Sequence, residues 1–189
     1  MQATALGQVP KLTMASLNCF SEKSSLRERW YPMGTIESKL KAMGHVLPAP
    51  FKFPNDNRTG CVLVGSVMFV SGHGRDLSGE KVKPKGKLGR DVTIEEGYAT
   101  ARAVALSMLA SLKKELGDLD RIKRVVRLFG MVNVAPGFDQ MPRVVDGASD
   151  FFYELFGPQA GQHARTAVGM AELPHGIPVE INGEFEVNL

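Results

Sequence analysis

His163-Ala164-Arg165-Thr166-Ala167-Val168-Gly169-Met170-Ala171-Glu172-Leu173-Pro174-His175-Gly176-Ile177-Pro178-Val179-Glu180 reads as a short β-type segment, a Leu-Pro-x-Gly-x-Pro turn and the start of an alternating strand. The alternation continues to the end of the chain. Val179, Ile181, Phe185 and Val187 fall on one side, while Glu180, Asn182, Glu184 and Glu186 fall on the other. Such a polar row does not suit a dry contact between two sheets, so only the apolar side is expected to cover a core.

Working outward, Pro142 to Phe156 predicts a helix with proline near its first turn and Gly157 stopping it. Its Val144, Val145, Ala148, Phe152, Leu155 and Phe156 should face a sheet. Ile122 to Val134 reads as a long strand in which Gly130 would permit a bulge. Thr93-x-x-Glu96 is a capping box for a long helix, with Ile94, Tyr98, Ala101, Ala105, Met108, Leu109, Leu112 and Leu116 as its buried stripe and Gly117 as its C-cap. Cys61 to Val64 and Val67 to Ser71 flank Gly65-Ser66, a two-residue hairpin signal, and a short strand is expected near Lys81-Val82. Thr35 is placed to cap a short helix whose Ile36, Leu40 and Met43 share a face and which Gly44 ends. Pro48, Pro50 and Pro54 then hold an extended connector. This order predicts one α+β domain with both long helices on one face of the sheet.

The chain has 189 residues, 43% of them hydrophobic and 23% charged, which reads as a globular domain. A formal charge of +3 is mildly basic. Its densest cluster, Lys81-Val82-Lys83-Pro84-Lys85-Gly86-Lys87, lies in a Gly/Pro-rich loop without interleaved aromatics, which argues against nucleic acid. Cys19 and Cys61 are far apart, and neither they nor His45, His73, His163 and His175 show metal-ligand spacing. The expectation is therefore no metal, no organic cofactor and a reducing, cytoplasmic compartment. No apolar run approaches the roughly 18–20 residues of a membrane span. Residues 1–33 differ in composition, having no acidic residue through Phe20 and then Ser21, Ser24, Ser25, Arg27 and Arg29. They are read as an N-terminal extension before a domain at 34–189, with organellar import as one reading.

Arg165 and Glu180 are the residues most suited to chemistry. A guanidinium fork can clamp a small carboxylate through two parallel hydrogen bonds. A nearby carboxylate can move a proton or orient a water. Arg165 could equally form a structural ion pair with Glu180 or Asp150.

Three blocks carry a resemblance. Arg165-Thr-Ala-Val-Gly-Met-Ala-Glu-Leu-Pro-His-Gly-Ile-Pro-Val-Glu180 resembles the C-terminal signature of the RidA (YjgF/YER057c/UK114) family. Gly130 to Phe138, with Gly147-Ala148-Ser149-Asp150 and Glu154 to Gly157, agrees with it, as does Phe69-Val70-Ser71-Gly72-His73-Gly74. The block Gly86 to Thr93 is similar to the longer subgroup called endoribonuclease L-PSP. The resemblance implies a chorismate-mutase-like fold, with a mixed sheet and two helices on one face, in a homotrimer with an inner barrel and sites at subunit interfaces. It also implies hydrolytic deamination of 2-aminoacrylate-type enamines and imines to 2-keto acids and ammonia.

On that resemblance Arg165 would bind the substrate carboxylate and Glu180 would activate water. Gly72 and Asn133 would line the pocket, and His73 stands where many relatives have Gln and could assist proton transfer. Gly72, Asn133 and His73 also have plain readings, as a strand end, a backbone-satisfying amide and a loop histidine. Phe69 and Phe138 are candidates for pocket wall or for core. Two departures stand out. Ala167 replaces a cysteine of many short members, and Asn55-Asp56-Asn57-Arg58-Thr59-Gly60 replaces their Gly-Pro-Tyr segment. The other readings are a non-catalytic carboxylate-binding trimer and a ribonuclease.

Overall fold

The protein is described from a computed structural model over residues 34–74 and 85–189. The segment 1–33 and the strand expected near Lys81-Val82 lie outside the described residues. Strands β1 (Cys61–Val64), β2 (Val67–His73), β3 (Ile122–Asn133), β4 (Ala164–Met170) and β5 (Val179–Val187) form one sheet in the order β1-β2-β5-β3-β4. The β3/β4 pair is parallel and the other three pairs are antiparallel, so the sheet is mixed. A parallel pair needs a crossover, and helix α3 (Met141–Gly161) supplies it.

The β5 alternation decides which face is dry. Val179, Ile181, Phe185 and Val187 are buried beneath α2 (Ile94–Leu116) and α3, while the glutamate row lies on the opposite, open face. There Arg127 holds Glu184 in a two-pronged ion pair at 2.7 and 2.9 Å, and Lys123 pairs with Glu186. The capping box at Thr93 and Glu96 is formed, with both reciprocal hydrogen bonds present. A cap of this kind is worth about 1 kcal/mol. Helix α2 is buried beyond its expected stripe, since Ala103, Leu106 and Ala110 are buried as well.

Four local expectations need correction. The N-cap of α1 (Thr35–Ala42) is Gly34, with no side-chain cap; Asp120, from the turn before β3, instead accepts from the amides of Thr35 and Ile36. A carboxylate supplied by tertiary contact does the work assigned to a local hydroxyl. Gly130 makes no bulge, because the β3/β5 register slips at Ile122/Arg124 and Val125/Arg127. Its bare Cα admits α3: a Cβ there would lie 2.6 Å from both methyls of Val145. Gly157 breaks α3 (φ 78°, ψ 177°), but the helix resumes through Pro158 to Gly161. Phe69 belongs neither to the core nor to a described hollow; it is 46% exposed on the sheet's outer face.

Gly130→Ala should therefore destabilise the fold by roughly 1–3 kcal/mol through overpacking. The double variant with Val145→Ala should recover part of that loss in urea unfolding. Equal stability of wild type and Gly130→Ala would refute the close approach.

Candidate functional site

Strand β2 slips register between Val70 and His73, which turns the end of the strand over the start of β5. Gly72 consequently meets the Glu180 side chain. A Cβ on Gly72 would fall 2.0 Å from Oε1 of Glu180, so only glycine lets the carboxylate lie against this backbone. Glu180 is half-buried, and its carboxylate has no hydrogen bond or ion partner among the described residues. Burial pushes its pKa above the ordinary 4.5, because the charged form loses water without gaining a cation.

Glu180 and Gly72 open onto a hollow of about 170 Å³, shared with Phe51, Phe53, Arg58 and Ile177. That is small beside drug-sized sites of about 300–1,000 Å³, so the hollow suits a small metabolite. His175 stands at its margin with φ 59°, the only described non-glycine residue in the left-handed region. Phe51 and Phe53 meet edge to face at 4.8 Å, and the Arg58 guanidinium lies 5.8 Å from the Phe53 ring centre.

His73 borders the same hollow yet is only 3% exposed. Its Nδ1 lies 2.6 Å from the Ser71 carbonyl oxygen and its Nε2 lies 2.8 Å from Oγ of Ser111 on α2. A neutral ring with the proton on Nδ1 satisfies both contacts: it donates to Ser71 and accepts from Ser111. Burial lowers its pKa below 6.5, partly opposed by the Ser71 contact. The loop-histidine reading thus gives way to a buried brace between β2 and α2.

Asn133 is 1% exposed and stands behind the hollow. Its amide donates to the carbonyl of Ile177 at 3.1 Å and accepts from Nζ of Lys87 at 3.0 Å. Lys87 also bonds the Ala171 carbonyl and pairs with Glu172 at 2.9 Å, so this lysine clamps a loop.

Arg165 is elsewhere in the chain. It pairs in register with Leu128, a core residue, and therefore points to the helix side of edge strand β4. Its NH1 donates to Asp146 at 2.6 Å and to Ser149 at 3.1 Å, both on α3. Ser149 lies 3.0 Å from Nε2 of His163, whose pKa is lowered by burial and by Arg165. Glu180 pairs with Met131 on the open face, so within one chain the two residues look to opposite sides of the sheet.

Among the described residues one carboxylate trio is close enough to hold a cation: Glu37, Asp118 and Asp120. These groups already serve the fold. Asp120 caps α1, Asp118 accepts from the Asp120 amide, and Glu37 pairs with Lys113.

Residues 37–176 match the family described as "YjgF/chorismate_mutase-like, putative endoribonuclease". The chain belongs to this family. Among curated relatives, it is 41% identical over 157 residues to Protein TCP17 of Trypanosoma cruzi, covering 82% of this chain and 96% of that one. Two solved structures share its fold. Atu1372 of Agrobacterium tumefaciens, a protein of unknown function, matches with TM-score 0.73 at 36% identity, over 81% of this chain and 92% of that chain. A "putative endoribonuclease" of Shewanella oneidensis matches with TM-score 0.75 at 36% identity, over 81% and 99%. The chorismate-mutase-like α+β fold therefore stands.

Sequence reasoning missed Arg58, Phe51 and Phe53, which reach the hollow from a connector with no periodicity. It also missed Ser111, although Ser107 and Ser111 sit one turn apart in an otherwise apolar helix, which is a readable signal.

The lowered pKa of His73 has a signed consequence. As pH falls from 6.5 toward its folded value, the unfolded chain binds a proton that the folded chain refuses. Its contribution to stability is complete above 6.5 and is lost below. In His73→Gln, unfolding free energy measured by urea titration should fall less steeply from about pH 7 to about pH 5 than in wild type. Parallel profiles would contradict the buried neutral ring.

Proposed function

We propose that this protein hydrolyses reactive enamines and imines of the 2-aminoacrylate type to 2-keto acids and ammonia. The observation that carries the reading is Glu180: a desolvated carboxylate without a partner among the described residues, at a small hollow whose walls include Phe51, Phe53 and Ile177. A raised pKa brings a carboxyl group closer to neutrality, where it can both accept and return a proton. The reaction as written needs only water and such a proton carrier.

The enamine first tautomerises, its terminal carbon gaining a proton and its nitrogen losing one. Water then adds to C2 of the imine, with Glu180 taking a proton from the attacking oxygen and delivering one to nitrogen. Glu180 then relays the hydroxyl proton of the adduct to the amino nitrogen, and the C2–N bond breaks with its electron pair leaving as ammonia. This completes the keto acid, so one water is consumed and one ammonia released. Gly72 keeps the carboxylate beside the reacting centre, and His73 braces the strand that carries it. Cys61 does not enter as a thiolate, since burial, with Glu115 adding to it, pushes its thiol up to about 12.

On this reading Arg165 binds the substrate carboxylate from a neighbouring copy in a homotrimer. Its place on edge strand β4 favours presentation to another chain. Exposed Val62, Val64 and Phe69 on the outer strands add apolar surface suited to burial between copies. The reducing cytoplasm is the compartment in which such reactive intermediates would be met.

Purified protein mixed with a dehydratase releasing 2-aminoacrylate should speed keto-acid formation. Glu180→Gln should lower the rate by roughly 10²-fold or more, the usual scale of a lost proton carrier. Arg165→Ala should raise KM more than it lowers kcat. Wild type no faster than buffer, with 2-keto acid still bound, would replace catalysis by carboxylate binding; full activity in both variants would reject the site.

A further inference from the structure

The hollow that Glu180 lines has an arginine of its own on its wall. Arg58 comes from the turn Asn55–Gly60, and it forms a wall with Phe51 and Phe53 between this hollow and a second one of about 370 Å³. None of its nitrogens makes a hydrogen bond or ion pair among the described residues; its recorded contact is the Phe53 ring. Arg165 differs on this point, having Asp146 as its counter-charge. A cation resting on an aromatic face keeps its in-plane N–H donors free for a planar anion. Phe51, set edge-on to Phe53, extends the apolar surface along which a short methylene chain could lie.

Charge decides what this arrangement favours. Among the described residues that line the smaller hollow, Glu180 is the acidic one, and burial discourages its ionised form. Burial also disfavours the charged form of His73. Arg58 has no ion partner among the described residues, and an anion placed beside it would supply one.

We propose that Arg58 binds a second acidic group of the ligand, so that the hollow prefers dicarboxylic 2-imino and 2-oxo acids to monocarboxylic ones. This rests on the reading of the Glu180 hollow given above, in which Arg165 of a neighbouring copy holds the first carboxylate.

Calorimetric titration with 2-oxoglutarate and 2-oxobutanoate, two stable probes, tests it in wild type, Arg58→Met and Arg165→Ala. Methionine keeps an apolar stem on Phe53 while removing the charge. Wild type should bind 2-oxoglutarate roughly tenfold or more tighter than 2-oxobutanoate, about the effect of one charge-assisted hydrogen bond. Arg58→Met should lose most of that preference and hold 2-oxobutanoate within about threefold. Equal wild-type affinities, or an Arg58→Met variant that weakens both probes alike, would overturn the role of Arg58 and leave the Glu180 site standing. Loss of both probes in Arg165→Ala is expected; unchanged binding there would remove Arg165 from the site and leave Arg58 as the anchor. Failure of wild type to bind either probe would overturn both proposals.

Discussion

Glu180 and Gly72 occupy a space that leaves no room for a Cβ, and the rest of the site follows from that contact. A carboxylate pressed onto backbone cannot be fully hydrated, so its charged form costs more than in water. Nature usually answers such a cost with a cation, and among the described residues of this chain none is recorded on Glu180. What keeps the arrangement in place is the surrounding framework. The β2 bulge turns Gly72 over β5, and the His73 ring ties the end of β2 to the Ser111 hydroxyl on α2. Behind the hollow, Asn133 and Lys87 fix the turn that leads into Glu180.

The sheet separates two kinds of polar chemistry. On its helix side, Arg165, Asp146, Ser149 and His163 form a connected group at the β4 edge, in which each member limits the freedom of the next. At the other face, the Glu180 hollow is walled by aromatic rings and Arg58. A single protomer does not bring these groups together, since Leu128 and Met131 mark opposite faces of the same strand. Contact between them requires a second copy, which gives the proposed assembly a chemical purpose as well as an apolar one.

The parts legible in the sequence were those governed by local periodicity or local hydrogen bonds. The two-residue alternation of β5, the Thr93/Glu96 box and the hairpin about Gly65-Ser66 needed no tertiary information. The parts misread depend on distant partners. Asp120 reaches across 85 residues to cap α1, and Gly130 yields space to a valine on another element. Glu180 could be named from its motif, but its lack of a partner could not, because that is a property of everything that fails to reach it. Arg58 was hidden for a similar reason: a turn of Asn, Asp and Thr has no pattern that aims a side chain, and only folding sets it over Phe53.

Carbon-detected NMR titration of the Glu180 side-chain carboxyl tests the account most directly. A midpoint above the ordinary 4.5 is expected in the folded protein. A midpoint at or below 4.5 would mean that the carboxylate is well hydrated or paired with a cation, and would contradict it.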